Sequence, residues 1–186
     1  MKSSIRLGRV LAAAVITALS VGALAQAAAG GPAPPEVPFD VAVPAGNKVF
    51  LVGHATGVQI YRCDPSTSGF AWRFVAPRAD LYDDHGKLIV THFVGPSWRA
   101  KDGSTVVARR DGGVNMDVSA IDWLRLVVIP PADGDTGGRL GATTYIQRIA
   151  TTGGIAPAAS ACSAATTGSV EEVPYTADYY FWKATG

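Results

Sequence analysis

The stretch LIVTHFVGPSWRAKDGSTVVAR, residues 88–109, decides how the rest of the chain is read. Along 88–94 the side chains alternate with period two, so Leu88, Val90, His92 and Val94 share one face. Gly95-Pro96 then ends the strand or turns a corner, because Pro96 cannot donate to a ladder. Ser97, Trp98 and Arg99 begin the next strand. Asp102-Gly103 reads as a hairpin turn before Thr105, since both residue types tolerate the positive φ of tight turns. Strand, corner, strand, turn, strand: the grammar is β.

Working outward, the same grammar continues in both directions. Short runs of β-branched and aromatic residues at 48–52, 58–63, 71–76, 123–129, 143–150 and 175–183 join those at 88–94 and 105–109. Turn signals separate them at 83–86, 111–113 and 133–135. Beyond residue 38 no apolar residues recur at helical spacing over ten or more positions. The expected fold is all-β, a single-domain antiparallel sandwich or barrel of about eight strands. Residues 123–129 are apolar on both faces, as in a central strand. On 175–183 one face carries Tyr175, Ala177, Tyr179 and Phe181, and the other Thr176, Asp178, Tyr180 and Trp182. Aromatics on both faces around one acid mean deep burial or a cleft on one side.

The N-terminus reads as an address. Lys2, Arg6 and Arg9 precede an apolar run, and Ala23-Leu24-Ala25 has the small-x-small pattern of a cleavage site, as does Ala25-Gln26-Ala27. Residues 1–25 are therefore expected to be a secretory signal peptide cut after Ala25 or Ala27. The apolar run is shorter than the roughly 20 residues that span a bilayer. Residues 26–38, rich in Ala, Gly and Pro, read as a tether, and 39–186 as one β-rich domain. Removing 25 residues from 186 leaves 161, enough for one core. It also removes three of 16 basic residues and none of 15 acidic ones, leaving 13 against 15 and a net charge of −2. That balance argues against nucleic acid as a partner. The expected location is secreted or periplasmic, with no membrane span after cleavage.

Two cysteines, Cys63 and Cys162, survive processing. In an oxidising compartment they are expected to pair. Two free thiols or an intermolecular bridge are the alternatives. Closing a loop of about 100 residues stabilises by at most about 4.7 kcal/mol on the chain-entropy model.

Site chemistry is thinly written. His92 among aliphatics has the look of a core histidine bonded to a backbone carbonyl. As a general base it needs Asp102 or Asp178 to orient it. No nucleophile elbow accompanies it, and Asp102 already reads as a turn former. His54, His85 and His92 fall at no metal-ligand spacing, and Asp133-Gly134-Asp135 lacks the later acids of a calcium loop, so no metal is expected. No dinucleotide or Walker fingerprint occurs, so no cofactor is expected. The candidate ligand contacts are Trp98, Arg99, Gln147, Arg148 and Tyr179. Trp98 and Trp182 are the candidate aromatic platforms.

Six ordered motifs carry a family resemblance: GVQIYRC at 57–63, GFAWRFVAPRADLYDDHG at 69–86, THFVGPSWRAKDGS at 91–104, IDWLRL at 121–126, YIQRIATTGG at 145–154 and VPYTADYYFW at 173–182. Together they resemble the secreted family catalogued as domain of unknown function 3455. The sequence departs from that pattern mildly: Ser97 stands where threonine is usual, Asp122 where proline is, and Trp182 where tyrosine is. The placing of Cys63 and Cys162 fits the family's layout. The resemblance implies one extracytoplasmic domain, with no assigned activity or catalytic residues. The leading expectation is a binding or envelope-associated protein that takes a small molecule or glycan; whether it is an enzyme is left open, leaning towards none. The alternatives are a hydrolase or isomerase using His92 with Asp102 or Asp178, and a structural or stress-related secreted protein.

Overall fold

A computed structural model describes residues 31–131 and 137–186. The expected signal peptide and the turn at 133–135 lie outside these residues. Eight strands follow in order: β1 (Asn47–Ser66), β2 (Gly69–Tyr82), β3 (Leu88–Phe93), β4 (Ser97–Ala100), β5 (Thr105–Val114), β6 (Trp123–Ile129), β7 (Thr143–Gly153) and β8 (Val170–Ala184). Each pairs antiparallel with its neighbour in sequence, and β8 returns to pair with β1. Of the two expected architectures, the barrel is the one formed. Closure leaves no free sheet edge. No helix among the described residues is long and apolar enough to cross a membrane.

The expected breaks were wrong in two places, and one of them is the turn read at 111–113, which lies inside β5 as a bulge between Arg110 and Gly112. The runs at 48–52 and 58–63 belong to one long strand, β1, which passes through Gly53 and Gly57 without interruption. Both glycines face inward. A Cβ on Gly53 would touch the Leu81 side chain, and one on Gly57 would run into the Arg78 carbonyl oxygen and Ala79. The glycines mark a close approach of β1 to β2 rather than a turn. On the other side, Gly53 pairs with Tyr179 and Gly57 with Tyr175 across the β1–β8 ladder. Small residues on β1 thus make room for large ones on β8.

Period-two alternation fills the interior. Tyr175, Ala177, Tyr179 and Phe181 are all buried and all point into the barrel, with Leu51, Leu81, Val90, Trp98 and Ile146 among their neighbours. A fully buried side chain of this kind contributes about 1.5–3 kcal/mol. One end of the barrel is plugged. The loop after β6 inserts Leu140, fully buried, into the core. Its backbone is fastened to the β4–β5 turn: Arg139 N–H donates to Asp102 Oδ2 at 2.6 Å and Leu140 N–H to Ser104 Oγ at 3.1 Å.

The opposite end is open. The β3–β4 turn, the β5–β6 loop and the long β7–β8 connection surround it. The disulfide Cys63–Cys162, with Cα atoms 5.4 Å apart, ties that connection to the end of β1. Trp72 Nε1–H adds a second tie to the Ala158 carbonyl at 3.2 Å. Residues 31–38 carry no regular structure. The chain then lies across the outside of β5–β7, where the Val41 carbonyl accepts Gln147 Nε2–H at 2.7 Å and the Ala42 carbonyl accepts Arg125 Nη1–H at 2.6 Å.

Candidate functional site

The open end leads inward through two connected spaces. A mouth of about 530 Å³ lies between the β5–β6 loop, the start of the β7–β8 connection and the far halves of β1 and β2. Beneath it is an inner chamber of about 100 Å³. Gln59, Phe74, Leu124 and Arg148 line both spaces. His92, Trp98 and Tyr179 wall the inner chamber. Eight-stranded barrels have an interior that either fills with side chains or holds one small ligand. This one does the first at its plugged half and leaves room for the second near its mouth.

The chamber wall is aromatic and rigid. His92 pairs with Trp98 across the β3–β4 ladder, and their rings stack at 4.2 Å with planes 7° apart. Tyr179 meets both rings edge-on, at 5.3 and 5.9 Å. His92 Nδ1 lies 2.9 Å from the Ser97 carbonyl oxygen. A carbonyl can only accept, so Nδ1 carries a proton, and in the neutral ring Nε2 is then the acceptor. Burial pushes the His92 pKa down to about 3, the Arg148 charge pushes the same way, and the bond to Ser97 opposes them. An imidazole of that basicity is mismatched to proton abstraction near neutral pH.

Neither proposed catalytic partner bonds to His92. Asp102 sits in the β4–β5 turn at the plugged end, where it accepts from Ser104 Oγ at 2.6 Å as well as from the amides of Ser104 and Arg139. Those bonds, the Ser104 hydroxyl first, hold its carboxyl below the usual range. Asp178 lies on the outer face of β8, one residue from inward-facing Tyr179, and bonds His54 Nδ1 at 2.7 Å. His54 Nε2 in turn meets Asp84 at 2.9 Å. The two carboxylates, Asp84 first, raise the His54 pKa. The triad of groups that does form is thus a surface one, and it uses a different histidine.

The five candidate ligand contacts divide by strand alternation. Trp98, Arg148 and Tyr179 converge on the inner chamber with His92. Arg99 points outward, its guanidinium 5.1 Å from the Phe93 ring centre. Gln147 is buried beneath the N-terminal segment, donating to the Val41 carbonyl and accepting from Trp182 Nε1 at 2.8 Å. Trp98 and Trp182, 1% and 7% exposed, are not surface platforms. Sequence reasoning missed Gln59, Phe74 and Leu124. Gln59 carried a usable signal: in GVQIYRC it shares a face with Gly57 and Tyr61, a polar residue on what became the inner side.

Two residues that line the chamber each carry an orphaned polar atom. Gln59 Nε2 and Trp98 Nε1 are buried and have no hydrogen-bond partner. The Gln59 amide lies beside the Tyr175 hydroxyl and favours its ionised form, but without the geometry of a hydrogen bond. Arg148 adds a cation whose Nε and Nη2 donate to the Asp122 main-chain oxygen at 3.1 and 2.8 Å. No curated protein and no solved structure matches the chain. A family model matches over residues 44–183, which span the barrel from just before β1 to near the end of β8, and the chain belongs to the family described as "Protein of unknown function (DUF3455)".

Proposed function

We propose that this chain is a secreted or periplasmic binding protein whose barrel takes one small, mostly apolar molecule through its open end. The observation that carries the reading is the pair of orphaned donors, Gln59 Nε2 and Trp98 Nε1, on two residues that line a chamber that opens outward. Each buried donor without a partner costs about 1–3 kcal/mol. Native proteins rarely leave two such groups beside one cavity, and oxygen acceptors on a bound ligand are the partners this reading assigns to them. Burial of Trp98 and Trp182 supports a molecule enclosed by the barrel over a glycan laid on an aromatic surface. Export is supported by the basic and apolar N-terminal sequence and by the paired cysteines.

The test uses calorimetric and thermal-shift titration of the mature protein with short aryl and alkyl alcohols and acids. Wild type should be stabilised by members of the set. Leu124→Trp, which fills the passage between the two spaces, should abolish the effect while the protein stays folded. If no compound protects wild type better than Leu124→Trp, the binding reading fails.

A further inference from the structure

We propose that the molecule held in the barrel is a carboxylate, with its anionic head gripped by Arg148 and its apolar body in the mouth. This rests on the binding reading above and adds the charge of the ligand. Arg148 comes from β7, pairs in register with Leu124 of β6 and Tyr179 of β8, and lines both spaces. Its two bonds to the Asp122 main-chain oxygen fix the plane of the guanidinium. They neutralise no charge.

Among the described residues no carboxylate pairs with Arg148. The one acid lining the mouth, Asp122, is already engaged. Its Oδ2 lies 3.2 Å from Arg110 Nη2, and its Oδ1 accepts from Asn115 Nδ2 at 3.2 Å. Arg110, Arg148 and Asp122 together leave one positive charge over at the mouth. The field of Arg148 reaches well into the barrel: it favours ionisation of Tyr61, Tyr175 and Tyr179 against their burial, and it disfavours protonation of His92. Arg148 is half-buried at the mouth, and an anion that joins it there is screened less than one at the open surface.

The remaining groups choose the kind of anion. Arg148, Gln59 Nε2 and Trp98 Nε1 are all donors. A carboxylate is acceptor-only, and its two oxygens match a planar guanidinium fork. The inner chamber, about 100 Å³, has room for a small head group and little more. Engineered cavities of roughly 150 Å³ hold benzene. Phe74, Ile121, Leu124 and Ile155 line the mouth, offering an apolar bed for the rest of the molecule. A monoanion with an apolar body fits this arrangement, whereas a free inorganic anion leaves the bed empty.

The experiment compares two probes of one shape, 4-phenylbutyrate and 4-phenylbutan-1-ol, by calorimetry against the mature protein. The acid should bind about tenfold tighter or better, which corresponds to roughly 1.4 kcal/mol. Arg148→Met should bring the two to within about twofold, and Arg148→Lys should keep part of the preference. Because the methionine variant also loses the bonds to Asp122, wild type supplies an independent readout. The ¹³C carboxyl resonance of labelled, bound phenylbutyrate should show it still ionised at a pH where the free acid is half protonated. An alcohol that binds as tightly as the acid, or a bound acid that protonates more readily than the free one, overturns the charge assignment and leaves the binding reading standing. Failure of both probes to bind overturns both.

Discussion

The two ends of the barrel treat polar groups in opposite ways. At the plugged end no buried side-chain polar atom of the described residues is left without a partner. The Asp102 carboxylate takes the Ser104 hydroxyl and the amides of Ser104 and Arg139. The Thr143 hydroxyl and amide both donate to the Leu140 carbonyl, at 2.6 and 2.9 Å. At the open end Gln59 Nε2 and Trp98 Nε1 are buried without partners, and among the described residues no carboxylate pairs with Arg148, the Asp122 carboxylate going to Arg110. The same strands run through both ends. A sheet that satisfies its polar groups this fully at one end has no general difficulty doing so, which makes the shortfall a property of the open end, where Ser66 Oγ is a third such atom.

Substitutions that remove these features should separate the ends by sign as well as size. The largest effect is expected from Leu140→Ala at the plug, a loss of about 2–5 kcal/mol read from urea unfolding. Probe binding at the mouth should be unchanged. If Leu140→Ala also abolishes binding, the two halves are one cooperative unit and the contrast is lost.

The next contrast is between the two histidines, read by pH. His92, with its folded pKa lowered to about 3, contributes stability that is full above the unfolded value of 6.5 and is lost as pH falls toward 3. His54 has the opposite sign. Its folded pKa is raised by Asp84 and Asp178, so its contribution is full below 6.5 and is lost as pH rises through the folded value. That contribution is small because the group is half-exposed. NMR titration should show one imidazole titrating above 6.5 and another silent until about pH 3. A His92 resonance that titrates near 6.5 means that water reaches the aromatic wall.

The smallest expected change has the unusual direction. Gln59→Leu removes an orphaned donor and should raise stability by about 1 kcal/mol while weakening ligand binding several-fold. Loss of stability in this variant would mean that the Gln59 amide already has a partner in solution.

Much of this contrast was legible in residues and not in their placement. The hairpin role of Asp102 followed from Asp-Gly, and the inward face of β8 followed from alternation. The same alternation should have separated Trp98 from Arg99 and Gln147 from Arg148, since adjacent strand residues point to opposite faces. Only Trp98 and Arg148 reach the chamber. Gly53 and Gly57 read as a break because a local pattern does not reveal which backbone crosses close by. Whether the sheet closes depends on pairing between β1 and β8, more than a hundred residues apart. The orphaned donors depend on what stands opposite each side chain, which no single segment states.

The pairing of the first strand with the last also orders events in time. Asn47 meets Ala184, and Arg62 meets Val170, so the ring is completed only by the C-terminal fifteen residues of strand. Loop-closure entropy makes contacts this distant in sequence slow to form. Without β8, β1 and β7 would each lack one strand partner, and the sheet would keep two free edges. The ring therefore stays unlocked until β8 is in place, and every contact that depends on closure waits for that one strand.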